Sequence, residues 1–228
     1  MTTVLELQRA LLARGFDIGK AGADGLIGPA TLNAVLQSLA NDPIKGGSIP
    51  TPSPRPEPLP ADWLPWAQMQ RIIVHWTGGA HKASADDRKH YHVLIEGDGT
   101  LTRGIPAITL NQSPVKAGYA AHTLNCNGGS IAVSLAAMGG AIESPFNSGK
   151  YPVTRAQWEA LMPALAQLAR RYAIPVTDAT ILSHAEVQAT LGIKQRGKWD
   201  IARLPFDPTL NSAKKIGDAM RAAVKALL

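Results

Sequence analysis

The apolar positions of the chain change period along its length, and the elements follow from that change. Val4, Leu7, Leu11 and Leu12 share one helical face, and Gly15 ends the helix they predict. After the turn-rich KAGADGLIG, Pro29 suits the first turn of a second helix, whose core stripe would be Leu32, Val35, Leu36 and Leu39. About forty residues bury little by themselves, so a third short helix is expected to complete a small all-α module over 1–42. Residues 43–61 hold seven prolines, six of them alternating in PTPSPRPEPLP. Such a run favours extended polyproline II and reads as a semi-rigid linker.

From residue 62 onward the period switches between that of strands and that of helices. Ile72-Ile73-Val74 is a β-branched run of the buried-strand kind that stops at His75, which is expected to point from the strand end into a loop. Tyr91–Ile95 reads as a second strand, closed by the hairpin signal Gly97-Asp98-Gly99. Two imidazoles and a phenol would then sit on neighbouring strands. Ser130–Ala136 and Thr180–Ser183 predict two more strands, the latter ending at His184. Thr154 and Gln157 have capping-box spacing ahead of a helix over 155–172, with Trp158, Leu161, Leu165, Leu168 and Tyr172 on one face and a kink expected at Pro163. A last helix spans 212–227, with Ile216, Met220, Val224 and Leu227 inward. The fold class is therefore mixed α/β (α+β), a central sheet flanked by helices over 62–228, preceded by the helical module.

Composition narrows the classes. With 45% apolar residues the chain is long enough to bury a core, and no apolar run approaches a membrane span, so no membrane insertion is expected. The start MTTVLELQRALLARG lacks the pattern of a secretory signal. One cysteine, Cys126, excludes an intramolecular disulfide and fits a reducing compartment; it is expected to be inert. The net charge of +6 favours polyanionic partners or simply confers solubility. No aromatic-basic stripe or known motif points to nucleic acid, which is not expected as a partner.

Candidate chemistry gathers on His75, His184 and Asp200. Two neutral imidazoles and one carboxylate are a sufficient set for a catalytic zinc, which with them carries a net +1 and can lower the pKa of water from about 15.7 towards about 7. Lys198, two residues before Asp200, would share its face in an extended segment and suit an oxyanion. Tyr91 could donate or accept a proton. The histidines are far apart in sequence and no compact ligand motif is present, so residue types alone leave packed or surface histidines as an alternative. His81 and His90 read as solvated, and His92, alternating with Tyr91, as a bonded core residue on the opposite face.

Two resemblances sharpen this reading. LQRALLARGF and DGLIGPATLNAVLQ resemble the peptidoglycan-binding module of many cell-wall hydrolases. IIVHWTGG, HYHVLIEGDGTL, AHTLNCNGGSIAV, LSHAEV and GKWD resemble, in order, segments of the zinc-dependent N-acetylmuramoyl-L-alanine amidases, a family that includes phage lysozyme-type amidases and animal peptidoglycan recognition proteins. The resemblance implies metal ligands His75, His184 and Asp200, catalytic Tyr91 and Lys198, and substrate contacts from His122 and Asn127. Ser134 stands where some bacterial members carry a glutamate, Ile201-Ala202 replace the usual Pro-Gly after the third ligand, and QATLGIKQRG makes a longer loop than in the members it resembles. The implied activity is hydrolysis of the amide between N-acetylmuramic acid and L-alanine in bacterial peptidoglycan, by a monomer. The expected setting is a phage endolysin that accumulates in the host cytoplasm and acts on the wall. A bacterial autolysin or exported toxin would share the chemistry, and a non-catalytic wall receptor is the alternative from another class.

Overall fold

A computed structural model describes residues 3–41 and 57–228. The chain forms two compact units, Met1–Arg55 and Pro56–Leu228.

The first unit contains α1 (Val4–Ala13) and α2 (Pro29–Asn41). Thr3 and Glu6 close a capping box on α1, and Gly15 leaves it at a φ of +82°, which glycine adopts without steric cost. The contact between the helices differs from the predicted stripes. Leu11, Thr31 and Ala34 are buried, whereas Leu7, Leu12, Leu32 and Leu36 are exposed. The reason is Gln8, buried at the centre. Its amide donates to Asp24 Oδ1 and the Leu26 carbonyl, both at 2.8 Å, and accepts from the Gly25 amide at 2.7 Å. A buried carboxamide must find partners, and satisfying this one turns the leucines outward. The expected third helix and most of the proline-rich segment, like the side chain of Leu39, lie outside the described residues.

The second unit begins earlier than the expected residue 62. Leu59 is fully buried, and its backbone N–H and C=O both bond the Gln167 carboxamide, at 2.7 and 2.8 Å. Residues from Glu57 onward therefore belong to the packed unit rather than to the linker.

Its sheet comprises β1 (Arg71–Trp76), β2 (Val93–Ile95), β3 (Leu101–Arg103), β4 (Ser130–Leu135) and β5 (Ile181–Ser183), in the order β3-β2-β4-β1-β5. The four strands from β2 to β5 in that order are parallel, and β3 pairs antiparallel with β2 across the Gly97–Gly99 turn. Two expectations change. β4 lies between β1 and β2, so these are not neighbours. A short helix, α3 (Asp87–His90), precedes Tyr91, and β2 starts only at Val93.

Strand alternation divides the unit. Ile72, Val74, Trp76, Ile131, Val133, Leu135 and Ile181 join the main core with α4 (Arg155–Arg171) and α6 (Ala213–Ala226). α4 runs unbroken through Pro163, and its Thr154–Gln157 capping box is present. Gln157 also donates to the carbonyls of Ile95 and Ala136, at 2.8 and 2.9 Å, stitching the helix start to the ends of β2 and β4. On the other face Ile73 and Leu182 pack with Cys126 and with Val187 of α5 (His184–Leu191). His75 and Ser134, paired in register, share that second face.

Candidate functional site

His75 is not at a strand end. β1 continues to Trp76, so His75 stands on the sheet face, fully buried, one residue before the end of the strand. His184 opens α5 directly after β5. The turn between them is fixed by a capping box in which Glu186 accepts from the Ser183 backbone N–H at 2.8 Å and hydroxyl at 3.0 Å. Arg221 of α6 then pairs with Glu186 at 3.0 Å, both nearly buried, and donates to the Ile181 carbonyl at 3.0 Å. The Ser183-x-x-Glu186 spacing was a readable signal for this anchor, whereas Arg221 had none.

Asp200 arrives from a loop. Trp199 packs edge-on against Trp76, ring centroids 4.7 Å apart, and the Asp200 carbonyl accepts from the Ala185 N–H at 3.2 Å. Ile201 follows at a φ of +64°, a conformation that β-branched residues rarely adopt, and is held there by complete burial. Asp200 Oδ2 lies 3.4 Å from His75 Nδ1 and 3.2 Å from His184 Nδ1. One ligand atom from each of the three residues falls within 4.8 Å of the others.

The outer nitrogens of both rings are also engaged. His75 Nε2 is 3.1 Å from His122 Nδ1, and His184 Nε2 is 2.9 Å from Gln195 Oε1. Both rings therefore turn Nδ1 towards the same carboxylate oxygen. Unprotonated nitrogens and a carboxylate crowded in this way are satisfied by a proton or by a cation, and two imidazoles with one carboxylate are donors of the kind that hold zinc. The residues present fit a metal ion.

The electrostatics agree. Burial lowers His75 to about 4, with Asp200 opposing, so its ring is neutral at neutral pH. Burial alone would raise Asp200, but the two histidines hold it well below the usual carboxylate range. Burial raises the Tyr91 phenol far above its ordinary value, and the Asp200 charge adds to that. Tyr91 is thus a hydrogen-bond donor here. Its ring lies 5.3 Å from that of His75.

Tyr91, Lys198 and Asp200 line one cavity of about 340 Å³, with Trp76, Thr77 and Trp199. His75 and His184 are buried against Asp200 and do not line it. Larger cavities occur elsewhere, beside Leu59 and beside His81, but neither is lined by any of His75, His184 and Asp200. Arg196, which the sequence did not single out, lines the site cavity too.

Two expected substrate contacts make hydrogen bonds within the protein. Asn127 Oδ1 accepts from the backbone N–H groups of His122 and Thr123, at 3.0 and 2.9 Å, so it holds the loop. His122 backs His75, with Thr123 Oγ1 at 2.8 Å from its Nδ1, and its Nε2 is buried without a hydrogen-bond partner. Burial holds the His122 ring well below its ordinary pKa. Ser134, level with His75, has a buried hydroxyl that faces the Tyr91 phenol.

His92 is a satisfied core residue, as expected, with Nε2 3.0 Å from Asn111 Oδ1 and Nδ1 accepting from the Ala132 N–H at 2.9 Å. It does not point away from Tyr91, however, because Tyr91 is outside the strand and alternation does not apply. The rings of His92 and His122 are 6.2 Å apart on the site face. His81 is not simply solvated, since Nε2 lies 2.7 Å from the Pro152 carbonyl. His90 is exposed, and Cys126 is a buried free thiol.

Among solved structures, the endolysin N-acetylmuramoyl-L-alanine amidase LysCS from Clostridium intestinale is 16% identical, with 70% of this chain and 85% of that chain covered and a TM-score of 0.43. The amidase AmiD from E. coli, in complex with anhydro-N-acetylmuramic acid-L-Ala-D-gamma-Glu-L-Lys, is 18% identical over 53% of this chain and 50% of that one, with a TM-score of 0.39. The Ph2119 endolysin of a Thermus scotoductus bacteriophage is 17% identical over 60% and 83%, with a TM-score of 0.36. No curated protein matches the chain. The sequence profile of the N-acetylmuramoyl-L-alanine amidases (Amidase_2) matches residues 65–201, more than half of the chain and the whole stretch from β1 to Asp200. With that match over the segment that builds the histidine–aspartate group, the chain belongs to the N-acetylmuramoyl-L-alanine amidase family.

Proposed function

We propose that this chain is a zinc-dependent hydrolase of bacterial peptidoglycan that cleaves the amide between N-acetylmuramic acid and L-alanine. The observation that carries the reading is the meeting of His75, His184 and Asp200 from three separate segments, within 4.8 Å, beside the cavity lined by Tyr91 and Lys198. His75, His184 and Asp200 would hold the metal. When bound, zinc supplies Lewis acidity, which activates water and polarises a carbonyl. The chain's own groups do the rest. Tyr91, kept protonated by its buried setting, donates a hydrogen bond to the substrate carbonyl or to the developing oxyanion. Lys198, exposed at the cavity wall, places a positive charge beside that oxyanion. His122 holds the His75 ring in place.

The N-terminal module is proposed to bind the wall and to raise the concentration of substrate near the second unit. Its position ahead of a hydrolase supports a lytic role of the endolysin type, in which the protein acts on the wall from the cell that makes it. Among the described residues no helix is long and apolar enough to cross a membrane.

The test is mass spectrometry of purified peptidoglycan after digestion, with and without chelator. Released peptides bearing a free L-alanine amine, abolished by chelator and by His75→Ala, are the expected result. Glycan fragments in their place would overturn the amidase reading, and activity that survives complete metal removal would overturn the zinc reading.

A further inference from the structure

The loop between α5 and Asp200 carries a second-layer contact that the family resemblance does not supply. Gln195, at its centre, is only 3% exposed. Its Nε2 lies 2.8 Å from the Leu124 carbonyl and 3.2 Å from the Ile193 carbonyl. Carbonyl oxygens only accept, so this end of the amide must be the NH₂. The other end, Oε1, is thereby fixed 2.9 Å from His184 Nε2. An amide oxygen also only accepts, so Nε2 must carry a proton, and a cation shared with the Asp200 carboxylate, 3.2 Å from Nδ1, leaves the lone pair on Nδ1. Reversing the amide would set its oxygen against two carbonyl oxygens. The Gln195 N–H bonds Gln188 Oε1 on α5 at 3.0 Å, tying the loop to the helix that begins with His184. Leu124 belongs to the loop whose His122 and Thr123 stand behind His75, so this one carboxamide joins the supports of both imidazoles.

We propose that Gln195 is a positioning residue that fixes the tautomer and ring orientation of His184, so that Nδ1 is presented, together with Asp200, to a divalent metal. The proposal rests on reading His75, His184 and Asp200 as a metal site. It explains what the longer loop contributes: without it, His184 Nε2 would be a buried donor with no acceptor, and the ring would be free to turn. Partners of this kind behind metal-binding histidines are typically worth about 10–100-fold in metal affinity.

The experiment uses the full chain and zinc itself. Apparent zinc affinity is measured by competition with a chromophoric chelator for the parent protein, Gln195→Ala, and Lys194→Ala as an exposed neighbour in the same loop. Histidine tautomers are read in the zinc-loaded parent protein from long-range proton–nitrogen NMR correlations. We expect Nε2–H on His184 in the zinc-loaded parent, zinc binding weakened about 10–100-fold in Gln195→Ala, and no change in Lys194→Ala. Nδ1–H on His184 in the parent protein overturns the proposal without recourse to any variant, as does parental zinc affinity in a folded Gln195→Ala protein. Failure of the parent to bind zinc, with His75→Ala indistinguishable from it, would instead remove the metal-site reading beneath.

Discussion

The two faces of the sheet are made by alternate residues of the same strands, and they do opposite things. On one face Ile72, Val74, Trp76, Ile131, Val133 and Leu135 meet α4 and α6 in the main core. Each large side chain buried there contributes about 1.5–3 kcal/mol. On the other face Ile73 and Leu182 form a small cluster with Cys126 and Val187, and the strand positions beside them include the polar His75, Ser130 and Ser134. That face is equally buried, yet most of its polar groups are held by hydrogen bonds, while His122 Nε2, in the loop behind His75, makes none. A buried polar group without a partner costs about 1–3 kcal/mol. Stability is concentrated on the first face, and the second spends some of it to keep a reactive geometry.

The sharpest way to separate the faces is to alter one residue on each. Asp200→Ala should abolish peptide release from peptidoglycan while leaving a cooperative unfolding transition, because the main core is untouched. Loss of cooperative folding in that variant would show that the faces are not separable. Arg221→Ala should cost about 3–5 kcal/mol in urea unfolding, since it strands the Glu186 carboxylate in a buried site. Because Glu186 also caps the turn before His184, this variant should lose metal affinity as well, which tests whether the two faces are joined through α6. Leu165→Ala, fully buried in α4, should cost about 2–5 kcal/mol with hydrolysis per folded molecule retained.

The polar face should also respond to pH. Burial lowers His92 from 6.5 to about 4, with Asn111 opposing. Between those values the unfolded chain binds the proton and the folded chain does not. The contribution is fully present above the unfolded value of 6.5 and is lost as pH falls towards about 4. His75 adds to this loss over the same window in the metal-free protein. The urea midpoint should fall across that interval, more gently in His92→Gln, and an unchanged slope in that variant would remove His92 from the account. The smallest effect is expected in the first unit, where Leu32→Ser, at a 53% exposed position, should change stability by less than about 0.5 kcal/mol. A larger loss would restore Leu32 to the helix contact that its spacing suggests.

Much of this arrangement is legible from local pattern. Thr154 and Gln157 announce the start of α4, Gly97–Gly99 the hairpin, and Ile216, Met220 and Val224 the buried stripe of α6, because capping, turn and helical periods are set within a few residues. Residue types alone leave the metal-ligand candidates beside ordinary packed histidines, and only resemblance singles them out, since nothing in a strand sequence says which distant segment will face it. In the N-terminal unit the pattern misled: leucines at helical spacing lost the interior to Gln8, whose amide needed four partners more than the leucines needed burial.

What the sequence determined by itself is the set of elements, the mixed α/β class and the residue types able to hold a metal, all consequences of short-range sterics and side-chain chemistry. The tertiary structure decided the rest. It placed β4 between the strands carrying His75 and leading from Tyr91, put His75 on a face instead of at an end, and assigned Asn127 to a loop and His122 to the support of His75. It also brought Gln195 behind His184. Each of these depends on which segments pair across the sheet and which buried polar atom finds which partner. Those choices are settled by hydrogen-bond satisfaction in three dimensions, and no period along the chain records them.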